Sequence, residues 1–219
     1  MREDGVRQIV DLRDRTLQKA RIAFGNRLVA IDGGQDLADE ETRELLERWY
    51  NRFLQLEEEA DKDIAKMVKH MPIVQRVTKV KGIGPMLAAK LVSMIDIERA
   101  DTVSSLWRYG GWAVIDGQRE RPTAGEKLHY NSRLKTTCYL IGVSFLKSNS
   151  PYRKVYDDAR AYYSANRPDW TEGHRHNAAM RKMIKMFLSA LWLVWRQLEG
   201  LPITYPYAHE RLGHQHYYS

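Results

Sequence analysis

The chain has 219 residues, of which 43% are hydrophobic, with a net charge of +7 and a single cysteine, Cys138. No apolar run approaches the roughly 18 residues of a membrane span, and one cysteine excludes an internal disulfide framework. We therefore expect a cytoplasmic protein without a membrane partner, with a core large enough for one large domain or two small ones.

Charge is unevenly distributed along the chain. Residues 36–63 contain 11 acidic and 4 basic residues, a net charge of −7, whereas residues 64–219 contain 24 basic and 12 acidic residues, a net charge of +12. A basic body favours contact with a polyanion, and the acidic segment calls for a different role. A basic excess can also serve solubility alone.

The first 70 residues predict a helical arm. Residues 5–24 carry an imperfect apolar stripe, and Asp32, Gly33 and Gly34 interrupt the chain. Asp39 is a suitable N-cap for a long helix. The apolar residues of that helix recur every three or four positions: Leu45, Trp49, Phe53, Leu56, Ala60, Ile64 and Met67. This near-heptad seam predicts a helical hairpin or coiled coil over 1–70, either pairing subunits of a homo-oligomer or covered within the chain.

Residues 77–92 predict a short helix, a tight turn and a second helix. Gly82 and Gly84 lie at the turn, and Pro85 falls at the first position of the second helix. This is the hGhG pattern of a helix-hairpin-helix, in which helix-terminal N–H groups face a phosphate and nearby lysines supply positive charge. The residues predicted to bind nucleic acid here are Lys79, Lys81, Gly82, Ile83, Gly84 and Lys90. We expect Val80 and Ile83 to pin the turn to the apolar face of the second helix. The alternative is a helical joint that only packs.

Further helices are predicted to begin after caps at Asp101-Thr102, at Asn131 or Ser132 and at Ser150, which Pro151 follows, and the last begins near Glu172. An irregular basic loop spans 112–130, where residues 114–117 could turn a small β-hairpin. Its cations, Arg119, Arg121 and Lys127, extend the predicted nucleic-acid contact. The fold class is therefore all-α: an arm over 1–70, a helix-hairpin-helix domain over 71–200 and an irregular tail over 201–219. We expect Trp49, Trp192 and Trp195 in the core and leave Trp107 and Trp112 undecided.

No cofactor or metal site is predicted. The pair His174 and His176 and the tail histidines, His209, His214 and His216, match no zinc-ligand spacing, and Cys138 falls within an apolar helical stripe. Carboxylates outside the arm are scattered, so a two-metal nuclease centre is not indicated.

From Met71 to about Tyr163 the chain resembles the C-terminal domain of the DEDD-type insertion-sequence transposases, the bridge-RNA-guided recombinases. The matching features occur in the same order: the hairpin Val80-Lys81-Gly82-Ile83-Gly84-Pro85, Trp107-Arg108-Tyr109-Gly110-Gly111-Trp112, Arg133-Leu134-Lys135 and Ser150-Pro151-Tyr152. The acidic coiled coil upstream also corresponds. The resemblance implies a DNA-binding protein of transposition or recombination.

Two departures from that family limit the chemistry that the resemblance implies. The family's N-terminal RuvC-like domain with four acidic residues has no counterpart in this sequence, and Ala124 stands where the family places a catalytic serine before glycine. Thr123 is the nearest hydroxyl, but a threonine needs activation to attack; Ser132 is a weaker candidate. We therefore expect no autonomous enzymatic activity.

Three hypotheses follow. The first is a transposase-related DNA-binding protein, with structured RNA as a further partner, acting as a recombination accessory, a repressor or a domesticated derivative. The second is a non-catalytic structural or interaction protein that pairs through the coiled coil. The third is a recombinase subunit that uses Thr123.

Overall fold

The computed structural model describes residues 2–114, 125 and 127–204. These residues are helical or irregular and contain no strand, which confirms the all-α prediction. The chain divides into two compact units, Met1–His70 and Met71–Ser219. Within the described residues no helix is both long and apolar enough to cross a membrane.

Unit 1 consists of helical segments that follow one another closely. Helix α1 covers Arg2–Leu12, a π-helical segment covers Arg13–Leu17, and α2 covers Gln18–Asp32; after the break at Gly33 and Gly34, α3 covers Glu40–Val68. Asp39 caps α3 as predicted, since its side chain accepts a hydrogen bond of 2.8 Å from the N–H of Thr42.

A buried ionic cluster and an aromatic pair join α2 and its π-helical extension to α3. The guanidinium of Arg13 lies 2.6 Å from Glu57 and 2.7 Å from Asp61, and that of Arg21 lies 2.6 Å from Glu57. Glu57 is only 5% exposed. One helical turn away from this cluster, the rings of Phe24 and Phe53 stack at 5.6 Å. A single carboxylate therefore serves two guanidinium groups, an arrangement that penalises a shifted register.

The predicted core position of Trp49 is wrong, because its side chain is 41% exposed. Leu45, Leu56 and Met67 of the same seam are similarly exposed, whereas Ile64 is fully buried. The periodicity located the apolar stripe correctly, but packing within the chain leaves these four residues of it exposed.

Unit 2 packs its helices around the long C-terminal helix. In chain order these are α4 (Pro72–Val77), α5 (Pro85–Met94), α6 (Val103–Tyr109), α7 (Ser132–Ser148), α8 (Arg153–Asn166) and α9 (Glu172–Leu198). Helices α4, α6, α7 and α8 each contact α9, and α5 contacts α4 and α7. Trp192 and Trp195 of α9 are buried, as predicted.

Side-chain caps fix the starts of these helices. Thr102 and Asn131 cap α6 and α7, as the sequence predicts, and Thr171 caps α9. The predicted serine cap at Ser150 is wrong: α8 begins at Arg153, and the buried hydroxyl of Ser150 has no hydrogen-bond partner among the described residues. The chain instead turns into α8 through Asn149, which has a left-handed backbone with φ of 53°.

Candidate nucleic-acid interface

A tight turn links α4 to α5 at residues 78–84. It is closed by backbone hydrogen bonds from the N–H of Lys79 to the carbonyl of Arg76 and from the N–H of Ile83 to the carbonyl of Val80, of 3.3 and 3.0 Å. Gly82 adopts φ of +101°, a conformation open mainly to glycine. The local sequence therefore dictates a compact turn.

Gly82 is required by the packing of this turn against α7. The hydroxyl of Ser144 donates a hydrogen bond of 2.6 Å to the carbonyl of Gly82, and that of Ser148 donates one of 3.4 Å to the carbonyl of Lys81. A β-carbon on Gly82 would lie 2.7 Å from the hydroxyl oxygen of Ser148. The close approach that this glycine permits is therefore to α7, and the predicted contact of Gly82 with nucleic acid stays a prediction.

Ile83 is also held by packing, and its predicted contact with nucleic acid stays a prediction. Its side chain is 4% exposed, and its N–H is already bonded within the turn. Ile83 thus pins the turn to the core, as predicted.

Gly84 lies on the open side of the turn, directly before α5. It is the N-cap residue with extended backbone, Pro85 follows at the first helical position, and nothing lies within 4 Å of the place a β-carbon would occupy. The first N–H groups of a helix have no acceptor within the helix. Gly84 therefore places no side chain at the start of α5, where those N–H groups lie.

The predicted lysines differ in their settings. Lys79 and Lys81 are exposed on the turn, and neither forms an ion pair with a described residue. Lys90 is half-buried on α5. The turn therefore offers two solvated ammonium groups close to the start of α5.

The loop that was predicted to extend the contact is described only in part. Arg119, Arg121 and Thr123 lie outside the described residues, as does most of the proposed β-hairpin at 114–117. Lys127 is exposed, and Ser132 is the exposed first residue of α7. Their predicted roles stay predictions.

Several segments of unit 2 contain no acidic residue, a pattern that the sequence analysis did not use. Residues 71–95, 102–114, 127–156 and 173–198 contain no aspartate or glutamate, although they contain arginines and lysines throughout. The described part of unit 2 therefore has a local excess of positive charge that the overall net charge understates.

Trp107 supports one of these cations. The ammonium of Lys185 lies 3.8 Å from the centre of the indole ring, and the indole N–H donates a hydrogen bond of 3.2 Å to the carbonyl of Lys185. Burial, followed by the charge of Arg181, lowers the pKa of the Lys185 ammonium. Trp107 is thus neither a simple core residue nor an exposed stacking platform.

Metal-ligating groups do not converge in the described residues. No group of three histidine, cysteine, aspartate or glutamate side chains there is arranged to hold a metal ion. Cys138 is fully buried, and burial raises the pKa of its thiol to about 12, an effect that the indole of Trp112 opposes. His174 instead stacks on Trp170 at 3.9 Å, and Nδ1 of His176 lies 2.7 Å from the hydroxyl of Tyr156. The tail histidines lie outside the described residues.

No family model, curated protein or solved structure matches this chain.

Proposed function

We propose that unit 2 binds the backbone of nucleic acid, DNA in the first place, through the turn between α4 and α5. In this proposal the turn is a helix-hairpin-helix, and the chain is a relative of insertion-sequence transposases that serves DNA transposition, recombination or its regulation. The observation that carries the proposal is the joint placement of Lys79, Lys81 and Gly84. Two exposed cations lie in the turn that leads into α5, and the first N–H groups of a helix and its dipole favour a phosphate.

In this proposal, the residues that the sequence pattern groups together have different roles. Lys79 and Lys81 supply charge, Gly84 leaves the N–H groups of α5 accessible, and Gly82 and Ile83 hold the turn in place. Contacts of this kind position a ligand without reading its bases, so we expect weak sequence preference and a steep dependence on salt.

A matched pair of double variants tests this function. K79Q/K81Q removes two charges from the turn, and K62Q/K66Q removes two charges from exposed positions on α3 of unit 1. We expect K79Q/K81Q to weaken binding to a duplex oligonucleotide and to reduce the slope of log Kd against log salt concentration by about two. The control should keep the parental slope. If the two variants have equal slopes of log Kd against log salt concentration, the binding site does not lie at the turn.

We propose as a second candidate that unit 1 pairs two copies of the chain as a coiled coil, whether or not nucleic acid is bound. Its support is the exposed stripe of α3, formed by Leu45, Trp49, Leu56 and Met67. At about 100° per residue these four side chains point within roughly 40° of one another around the helix axis. A second copy of α3 presents the same apolar stripe and is self-complementary by symmetry.

The third hypothesis, a recombinase subunit that uses Thr123, would leave a covalent protein–DNA adduct. An adduct formed by the parent and absent from Thr123→Ala, with Ser132→Ala as a control, would support it. Without such an adduct, binding alone explains the arrangement.

A further inference from the structure

A cavity separate from the turn lies between the end of α6, α7 and α9. Its volume is about 290 Å³, and it is lined by Gly111, Trp112, Lys135, Tyr139, Asn177 and Arg181, among other residues. This volume lies at the lower limit of small-ligand pockets. It far exceeds the space of a single water or a bare anion, so the shape calls for a compact ligand with more than one chemical part.

Packing of Tyr130 against Gly111 and Lys135 holds one wall of this cavity in place. Gly111 has φ of +71°, and a β-carbon there would lie 2.7 Å from the ring of Tyr130 and 3.0 Å from the side chain of Lys135. The ammonium of Lys135 lies 4.2 Å from the centre of the same Tyr130 ring. Gly111 therefore lets Tyr130 approach closely, and Tyr130 holds Lys135 at the rim of the cavity.

The cavity joins cations to an aromatic surface. Lys135 and Arg181 contribute charge from α7 and α9, and no carboxylate lines it among the described residues. Arg181 also lies close enough to Lys185, four residues later on α9, to affect it electrostatically.

The other groups suit a planar, hydrogen-bonding ring. Tyr139 is 41% exposed, which leaves ring surface for stacking, and Asn177 offers an amide with two donors and an acceptor. Met180 forms an apolar part of the lining. A phosphate would suit the cations, and a base would suit Tyr139 and Asn177. A sugar that joins the two completes one nucleotide.

We infer that this cavity is a binding site for a single nucleoside 5′-phosphate unit. The choice of a nucleotide over another aromatic anion rests on the proposed nucleic-acid function, in which the unit would be an unpaired nucleotide of the bound strand. Unpaired bases are recognised by stacking on aromatic side chains and by hydrogen bonds to their edges.

Mononucleotides test this site without involving the α4–α5 turn. Deoxyadenosine and thymidine 5′-monophosphate, the corresponding nucleosides and inorganic phosphate are titrated separately into the full chain at low salt. Calorimetry measures affinity, and saturation-transfer NMR detects contact with the base protons. We expect at least one monophosphate to bind saturably and about tenfold more tightly than its nucleoside or inorganic phosphate, because only the monophosphate engages both parts of the site.

Two pairs of variants locate the binding. Lys135→Gln should weaken monophosphate binding about tenfold, whereas Lys147→Gln, an exposed lysine of the same helix, should not. Tyr139→Ala should abolish saturation transfer to the base, and the more exposed Tyr162→Ala on α8 should preserve it. Circular dichroism and thermal melting identify any variant that has lost its fold, and the other pair then decides.

The outcomes separate this inference from the proposed function. Absence of saturable monophosphate binding, or equal losses in a variant and its control, overturns the nucleotide site even if duplex binding depends on Lys79 and Lys81. Monophosphate binding that depends on Lys135 and Tyr139 supports the site even if duplex binding fails. Inorganic phosphate that binds as tightly as every monophosphate overturns the nucleotide assignment.

Discussion

The hydroxyl of Ser144 on α7 donates a hydrogen bond to the carbonyl of Gly82, 62 residues earlier in the chain. This bond connects the α4–α5 turn to the body of unit 2 and explains why the turn needs a glycine at that position. It also means that a substitution at Gly82 changes the fold of the turn before it changes any ligand contact.

Gly82→Ala should therefore destabilise the protein by about 1–3 kcal/mol, because alanine is strained at φ of +101° and its β-carbon crowds Ser148. Gly84→Ala is the matched control, since this residue has a negative φ and open space at the β-carbon position. Urea unfolding followed by circular dichroism measures both. Equal stability of the two variants would show that the contact with α7 is not formed in solution.

The exposed stripe of α3 makes the oligomeric state testable. If unit 1 pairs two copies, the double substitution W49E/L56E should convert the oligomer into a monomer, because it places charges on the apolar stripe. Leu140→Glu, at a similarly exposed leucine on α7, should leave the oligomer intact. Sedimentation equilibrium over micromolar concentrations distinguishes these results. A parent chain that is monomeric throughout this range would refute pairing.

Glu57 is the central acceptor of the buried ionic cluster in unit 1. Glu57→Ala should destabilise this unit by about 3–5 kcal/mol, because it leaves Arg13 and Arg21 without their shared carboxylate. Glu58→Ala, at the exposed neighbouring position, should change stability by no more than about 0.5 kcal/mol. Thermal unfolding monitored by circular dichroism provides the comparison. A small loss in Glu57→Ala would indicate that water or Asp61 replaces the lost contact.

Cys138 predicts a specific dependence of stability on alkaline pH. Because its pKa is raised from 9.0 to about 12 in the folded protein, the unfolded thiol ionises first, and the free energy of unfolding should fall as pH rises from 9 to 12. The loss should approach about 1.4 kcal/mol per pH unit within that window. Cys138→Ala should lack this contribution, so the difference between the two proteins isolates it from other titrating groups. A difference independent of pH would contradict the burial of the thiol.

Local sequence signals predicted the parts of the fold that depend on near neighbours. Asp39, Thr102 and Asn131 act as helix caps within three residues of the groups they bond, so their roles were visible in the sequence. Ser150 failed as a cap because the preceding Asn149 takes a left-handed turn that sets a later start for α8.

Longer-range relationships were not visible in the sequence. Periodicity predicts the apolar face of α3, but it does not tell whether the same chain or a second copy covers that face. The exposure of Trp49 could therefore not be predicted. The glycines of the turn match one pattern, yet only the position of α7 shows that Gly82 serves packing and Gly84 remains open. Lys135 and Arg181 lie 46 positions apart, and nothing local indicates that they line one cavity. The absence of acidic residues from residues 127–156 and 173–198 was the feature of the sequence that could have indicated a cationic cavity.

Those segments have a consequence for how unit 2 responds to ionic strength. With several cations on α7 and α9 and no acidic residue on either helix after Glu172, repulsion between like charges opposes the folded state. Added salt screens that repulsion, and it also competes with a bound polyanion. The thermal stability of unit 2 should therefore rise at the same high salt concentration at which its bound polyanion dissociates.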